Sequence, residues 1–276
     1  MNILVLSKRD LTSTVLLNDL LPRLAALPGC RLHVILAERT RPVELVVPEL
    51  TRMKQLERDL PFGTVFPEID ADPAPLSPGR LMTPVQLAVH HGIEIAVARA
   101  MDDPVLLGTI AAFAPDVMVS ARFSFLFPPE IIALPRHGII NVHPGKVPDY
   151  AGLYPHFFSM LAGEQSLGCT VHLVEPGIDN GPILASGEVP IVPGRSAFAH
   201  NLDSHLLGNL LLADLIAALL EGRHLPAVPQ EKSKLKFNTY PTPLEFERFH
   251  ASGLSLIDTV EYTNLLDRFG RSLELS

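Results

Sequence analysis

The sequence predicts an open α/β fold with a mainly parallel sheet flanked by helices, and three observations carry that prediction. Residues 2–7 read as a buried strand, residues 12–27 place Leu and Val at helical spacing, and residues 31–37 alternate and β-branch like a second strand. Strand, helix, strand in that order is a crossover unit, which covers a parallel sheet with helices. The same buried-strand character returns at residues 116–121 and 138–143. With 276 residues, 47% hydrophobic and 19% charged, the chain can bury a full core.

Taken in order, the opening strand passes to a helix for which Thr12 or Ser13 is the expected cap. Residues 41–58 are read as helical, with Arg52, Lys54, Glu57, Arg58 and Asp59 as a solvated face of alternating charge. Pro61, Pro67, Pro73, Pro75, Pro78 and Pro84 mark residues 61–84 as loop. Residues 93–101 and 104–113 read as short helices, and Pro128 opens another at its first turn. A helix over 154–162 ends at Gly163. Residues 169–175 alternate as a strand, and residues 177–181 turn tightly into a further strand over 182–190. Residues 196–220 form the strongest helix, apolar nearly all round and therefore buried. From Pro226 the character changes, and short amphipathic helices over 244–250 and 259–269 read as an appendage, dividing the chain into 1–225 and 226–276.

Bulk properties narrow the function classes. A formal charge of -8 supplies no basic field for a phosphate backbone, which weighs against nucleic acid while leaving room for a local patch, and favours small-molecule partners. Cys30 and Cys169 make no disulfide framework and are expected as buried free thiols. No run approaches the roughly 18 apolar residues of a membrane span. Lys8 and Arg9 follow the first apolar run rather than precede it, the reverse of a signal peptide, so a cytoplasmic protein without a membrane partner is expected. Between the first strand and first helix there is no glycine, which argues against a dinucleotide or triphosphate cradle.

The chemistry concentrates in residues 138–152 and at Asp179. Asn141 and His143, two apart at the exit of a strand, share a face, and open sheets bind ligands at such exits. A neutral-range imidazole, a carboxylate to hold it and a carboxamide to donate to an oxyanion suit addition of a nucleophile to a carbonyl. No nucleophile elbow and no loop cysteine accompany them, so direct attack by an amine or water is preferred to a covalent intermediate. Two other readings stay open on the residues alone: a satisfied polar pair at a strand end, and a metal site using His143, Asp179 and His156 or His172.

Asn141-Val-His-Pro144, residues 147–152 (Val-Pro-Asp-Tyr-Ala-Gly), residues 168–173 (Gly-Cys-Thr-Val-His-Leu) and residues 177–184 (Gly-Ile-Asp-Asn-Gly-Pro-Ile-Leu) together resemble the catalytic core of the folate-dependent formyltransferases. That family includes glycinamide ribonucleotide transformylase, methionyl-tRNA formyltransferase and the sugar-nucleotide and siderophore-amine N-formyltransferases. The order and spacing match over about residues 110–192, and more loosely from the start to about 222. The resemblance implies a Rossmann-like domain that transfers formyl from 10-formyltetrahydrofolate to an amine, without a metal. It implies that Asn141 polarises the formyl oxygen, that His143 stabilises the oxyanion and assists proton transfer to the leaving nitrogen, and that Asp179 holds His143 protonated and shuttles the proton. It further implies a pterin pocket edged by Phe123, Phe125, Leu126 and Phe127 and by Glu175, Pro176, Gly177 and Ile178, with Lys146, Tyr150 and Gly152 toward the substrate. A protein that keeps the fold but only binds folate or coenzyme A is the alternative.

The chain departs from the family pattern at Gly145-Lys146-Val147, where the family has Ser-Leu-Leu, placing a cation beside the loop. A glycine- and serine-rich phosphate loop is absent after the first strand, which weakens the ribonucleotide assignment. The stretch after Pro226 reads as too short for the barrel tail of the tRNA enzyme. The acceptor classes left are amino sugar nucleotides and modified amino acids such as N-hydroxyornithine; a homodimer remains an open assembly state.

Overall fold

The computed structural model describes residues 1–73, 75 and 77–270. The main sheet contains β1 (Asn2–Lys8), β2 (Arg31–Ala37), β3 (Ile95–Ala98), β4 (Val117–Ala121) and β5 (Ile139–His143), and β6 (Ala151–Gly152) lies outside it. β7 (Ser166–Leu173) and β8 (Ile183–Pro190) complete the sheet in the order β3-β2-β1-β4-β5-β7-β8, and β9 (Phe237–Asn238) pairs with β6. The first five strands run parallel and the last two antiparallel, so the fold class read from the sequence is the one observed. The helices are α1 (Leu11–Ala25), α2 (Pro48–Lys54), α3 (Phe66–Ala71), α4 (Pro84–His91), α5 (Pro104–Phe113), α6 (Pro129–Ile132), α7 (Pro155–Leu161), α8 (Ala197–Leu220), α9 (Pro243–Ala251) and α10 (Thr259–Asp267).

Both faces of the sheet are covered. On one, Ile3, Val5, Val119, Ile140 and Val142 meet Leu17, Leu20 and Leu24 of α1 and Leu212 and Ile216 of α8. On the other, Leu4, Leu6, Met118 and Ile139 meet Leu106 and Ile110 of α5 and Ile131 of α6. The alternation of side chains along each strand produces this division. α8 approaches closely enough that a Cβ on Gly208 would lie 2.3 Å from Val142 and 2.8 Å from Cys169. The strand that ends in His143 therefore rests directly on this helix. By length and composition α8 could cross a membrane, yet half of its most apolar window is buried in the fold.

Several local expectations change. Asp10, not Thr12 or Ser13, caps α1, its carboxylate accepting from the Ser13 amide at 2.8 Å. Residues 61–71 are not loop: a π-helical turn over Pro61–Val65 continues into α3. Leu60 and Val65 before them are already helical, so Pro61 and Pro67 lie within a continuous helical run, where π-helical turns over Gln55–Asp59 and Pro61–Val65 replace the regular α pattern. Residues 95–98 form a strand rather than part of a helix over 93–101, because α4 stops at left-handed Gly92 and the run pairs with β2. The charged face over 52–59 is not simply solvated: Glu57 turns inward, its side chain 15% exposed, onto Arg122. Cys169 is buried as expected, whereas Cys30 is only half-buried.

The C-terminal helices pack into the main body. Phe246 and Phe249 join Phe157 and Leu50, and Phe249 stacks on Phe157 at 4.5 Å. Tyr262, Leu266 and Phe269 join Leu11, Phe66 and Phe198. Burying one such side chain contributes about 1.5–3 kcal/mol, so these helices add substantially to the core.

Candidate functional site

Strand order reverses between β1 and β4, and the crevice beyond their carboxyl ends is where an open sheet exposes backbone and side chains to a ligand. β5 lies next to β4 and presents Asn141 and His143 away from α8, opposite to Ile140 and Val142. Asp179 arrives from the loop joining β7 to β8, in a left-handed conformation (φ 47°) that an aspartate tolerates better than most residues. The three residues singled out from the sequence are brought together. His143 Nδ1 lies 3.4 Å from Asp179 Oδ2, and both side chains are almost fully buried.

A fourth residue completes the group. β7 pairs antiparallel with β5 in a register that sets His172 directly opposite Asn141. The Asn141 Nδ2 to His172 Nε2 distance is 3.1 Å, and His172 Nε2 lies 3.4 Å from Asp179 Oδ1. One carboxylate thus bridges two histidines. The period-two alternation of residues 169–173 already placed His172 on one face with Thr170, but which strand it would oppose was not legible. His172 enters this geometry as part of a hydrogen-bonded cluster with Asn141 and Asp179; among the described residues no group of three or more His, Cys, Asp or Glu is arranged for a metal ion.

Proton positions follow from the fixed partners. His172 Nδ1 faces the Leu173 carbonyl at 2.8 Å, and a carbonyl only accepts, so Nδ1 carries hydrogen. Its Nε2 then accepts from Asn141 when the ring is neutral and donates toward Asp179 when it is charged. His143 Nε2 likewise donates to the Tyr150 carbonyl at 2.7 Å, leaving Nδ1 toward Asp179. Asp179 Oδ2 also accepts the Gly152 amide hydrogen at 2.7 Å. Burial alone would raise the Asp179 carboxyl, but His143, His172 and this amide together hold it down at about 2.

Glycines admit this arrangement. A Cβ on Gly145 would stand 2.6 Å from His143 Nε2 and 2.8 Å from the Tyr150 oxygen, inside the bond between them. That explains the glycine where the family pattern has serine. Thr170 Oγ1 donates to the Gly145 carbonyl at 2.8 Å and fixes the loop from beneath. Lys146 does not turn toward His143: its ammonium pairs with Glu188 at 3.0 Å and is well exposed. The Tyr150 hydroxyl donates to Glu164, and burial followed by that carboxylate pushes its pKa up to about 12.

The remaining predicted pocket residues divide. Phe123 and Phe127 stack at 5.3 Å and pack partly against the core, with Phe125 edge-on to Phe123 and buried. Leu126 and Ile178 are exposed apolar side chains. Glu175 pairs with Lys232, the Pro176 carbonyl accepts from Asn180, and Gly177 takes φ 122°. Beside this loop, Asn180 Oδ1 and Gln230 Oε1 are buried acceptors without a hydrogen-bond partner among the described residues. An apolar rim with unfilled acceptors suits a flat heterocycle that bears N–H donors.

Residues that the sequence did not mark as site residues occupy the switch-point crevice. Arg122 (φ 64°) donates through one nitrogen to Asp10 at 2.7 Å and to Glu57 at 2.9 Å, and Thr12 donates to Glu57 at 2.9 Å. Burial works against the Asp10 carboxylate, but Arg122 and Lys8 outweigh it and lower its pKa; for Glu57 burial prevails and the pKa rises. His156 and His205, close to Arg122, are pushed by burial down to about 3 and stay neutral. The glycine-free stretch after β1 is thus filled by a buried ion network whose members lie far apart in sequence.

Residues 43–205 match the family model described as formyl transferase. The methionyl-tRNA formyltransferase of Aromatoleum aromaticum is 31% identical over 179 residues, covering 63% of this chain and 56% of that protein. That of Syntrophus aciditrophicus is 34% identical over 152 residues, covering 54% and 48%. The chain spans about half the length of the curated relatives it matches. Among solved structures, a 4-N formyltransferase from Francisella tularensis aligns with a TM-score of 0.57 at 15% identity, covering 90% of this chain and 86% of that one. A phosphoribosylglycinamide formyltransferase from Anaplasma phagocytophilum aligns at 0.54 and 16%, covering 86% and 98%. These likenesses establish the fold.

Proposed function

Because this chain belongs to the formyl transferase family, we propose that it moves a formyl group from 10-formyltetrahydrofolate to the amine of a small acceptor, with residues 1–225 as the catalytic unit. The observation that carries this reading is Asp179 bridging His143 and His172 opposite Asn141. A carboxamide donor and a carboxylate-held imidazole at a strand exit are what amine addition to a formyl carbon requires. The folate supplies the formyl group on a nitrogen that can leave once protonated. Phe125, Leu126 and Ile178 with the backbone of residues 175–178 would hold its heterocycle, and the unpaired acceptors of Asn180 and Gln230 support that placement.

In this reading the Asn141 amide turns from His172 to the formyl oxygen, which leaves His172 Nε2, unprotonated in the neutral ring, as an open acceptor beside Asp179. His143 holds a proton at Nδ1 against Asp179 Oδ2 while Nε2–H rests on the Tyr150 carbonyl. Its contact with the oxyanion therefore requires the ring to exchange the Tyr150 carbonyl for the substrate oxygen. The proton shed by the attacking amine passes through this pair to the leaving nitrogen.

Amino sugar nucleotides and modified amino acids such as N-hydroxyornithine remain the favoured acceptors, the net charge of -8 weighing against a nucleic acid. The curated relatives carry the name methionyl-tRNA formyltransferase, which supports methionyl-tRNA as the second reading. Incubation with 10-formyltetrahydrofolate and a panel of these acceptors, following release of tetrahydrofolate, tests both. Formylation of a small amine supports the first, and turnover with charged tRNA alone selects the second. Binding of reduced folate with no turnover, unchanged in His143→Ala, would leave a folate-binding protein.

A further inference from the structure

The chain beyond α8 runs from the start of β8 to the loop that follows β5, and its contacts fall on the two loops that carry the candidate site. Val228 exchanges both backbone hydrogen bonds with Ile183, at 2.8 and 2.9 Å, where the Asp179 loop enters β8. Gln230 Nε2 donates to the Asp179 carbonyl at 3.0 Å and to the Gly181 carbonyl at 2.7 Å, spanning that loop from within. Farther on, the Lys236 amide donates to the Pro148 carbonyl at 2.8 Å, and the Lys236 carbonyl accepts from Ala151 at 3.1 Å. The Asn238 carbonyl accepts from Leu153 at 2.9 Å. One continuous run therefore ties the loop holding Asp179 to the loop holding Tyr150 and Gly152.

Gly152 is where these restraints meet the carboxylate. Its amide donates to Asp179 Oδ2, and a Cβ would lie 2.3 Å from the Asn238 carbonyl oxygen. Backbone contact of that closeness fixes the distance between β9 and Asp179 more tightly than side-chain packing would. We propose that residues 228–238 are a strap that sets the placement of Asp179 against His143 and Gly152, with Gln230 as its positioning residue. The proposal rests on the site reading above for its catalytic consequence. Gln230 touches no reacting atom through its amide nitrogen; it acts by holding the loop from which Asp179 projects.

The test uses the full chain and the variant Gln230→Met, which keeps length and packing but removes both donated hydrogen bonds. Because it also removes the Oε1 acceptor placed beside the folate, KM for 10-formyltetrahydrofolate is followed too, and the kcat readout is taken at saturating folate. Two readouts are taken: the titration of the Asp179 carboxyl by carbon NMR, and formyl transfer from 10-formyltetrahydrofolate to the acceptor that wild type uses. The expected result is an Asp179 titration raised by about one pH unit as the carboxylate loses its partners. A fall in kcat of roughly tenfold, larger than any change in acceptor KM, accompanies it. Arg223→Ala, whose exposed ion pair with Glu221 lies outside residues 228–238, retains wild-type behaviour in both. An Asp179 titration and a kcat both unchanged in Gln230→Met would overturn the strap. If wild type transfers no formyl group to any acceptor, the functional reading falls while the titration still judges the strap. Should Gln230→Met melt below wild type, Gln230→Asn, with the amide withdrawn by one methylene, carries the same two measurements.

Discussion

Asp179 brings together burial, two imidazoles and a backbone amide within one carboxyl group. Its pKa in the fold, about 2, lies below the ordinary value of 3.8, so the stability it contributes is fully present above about pH 4 and is lost as pH falls toward 2. The difference corresponds to about 2 kcal/mol. Asp179→Asn is expected to flatten that part of the acid-denaturation curve, seen as a smaller gap between melting temperatures at pH 5 and pH 2.5. The same variant is expected to lower kcat by about 10²–10⁴, the range for a removed proton-transfer group. At Gly145 the constraint is spatial. Gly145→Ala places a methyl between His143 and the Tyr150 carbonyl and 2.6 Å from Pro155 Cβ. Its kcat is expected to fall by roughly 10² and overpacking to cost about 1–3 kcal/mol, with turnover compared at temperatures where the variant stays folded. Wild-type turnover in Gly145→Ala would show that the His143 to Tyr150 contact is dispensable.

At the scale of elements, the site depends on how closely α8 underlies β5 and β7. Gly208→Val would drive methyl groups into Val142 and Cys169, and overpacking of this kind costs about 1–3 kcal/mol. Because Val142 lies between Asn141 and His143, the variant is expected to lose activity even at temperatures where it stays folded, which parallel melting and turnover measurements would reveal. The sequence made α8 legible through its leucines, and β5 through its apolar run bounded by Gly138 and Pro144. It did not make β3 legible, since Ile-Ala-Val-Ala suits helix and strand alike and only pairing with β2 decides. The segment over 61–71 was not legible either, since its prolines signal a break and only the π-helical turns around them let the helix continue.

For the whole molecule, the question is whether residues 226–270 form a separate body. Phe249 and Phe246 fill space beside Phe157 of α7, and Tyr262 and Phe269 fill space beside α1 and α3. Phe249→Ala is therefore expected to cost about 3–5 kcal/mol and to lower one cooperative melting transition that includes the sheet. A separate low-temperature transition, with the sheet unaffected, would instead identify an independent C-terminal unit.

The sequence by itself determined the sheet-and-helix architecture and the family, and it singled out Asn141, His143 and Asp179 as candidates, because apolar periodicity and a dense local motif are properties of neighbouring residues. The tertiary structure decided everything that depends on register and long-range approach. It set His172 opposite Asn141 through antiparallel pairing of β5 with β7, closed Arg122 onto Asp10 and Glu57, turned Lys146 toward Glu188, and laid Gln230 across the Asp179 loop. None of these pairs shares a local signal, since each partner looks ordinary in its own segment. Their proximity arises only when packing of the whole chain fixes which strand ends and loops meet.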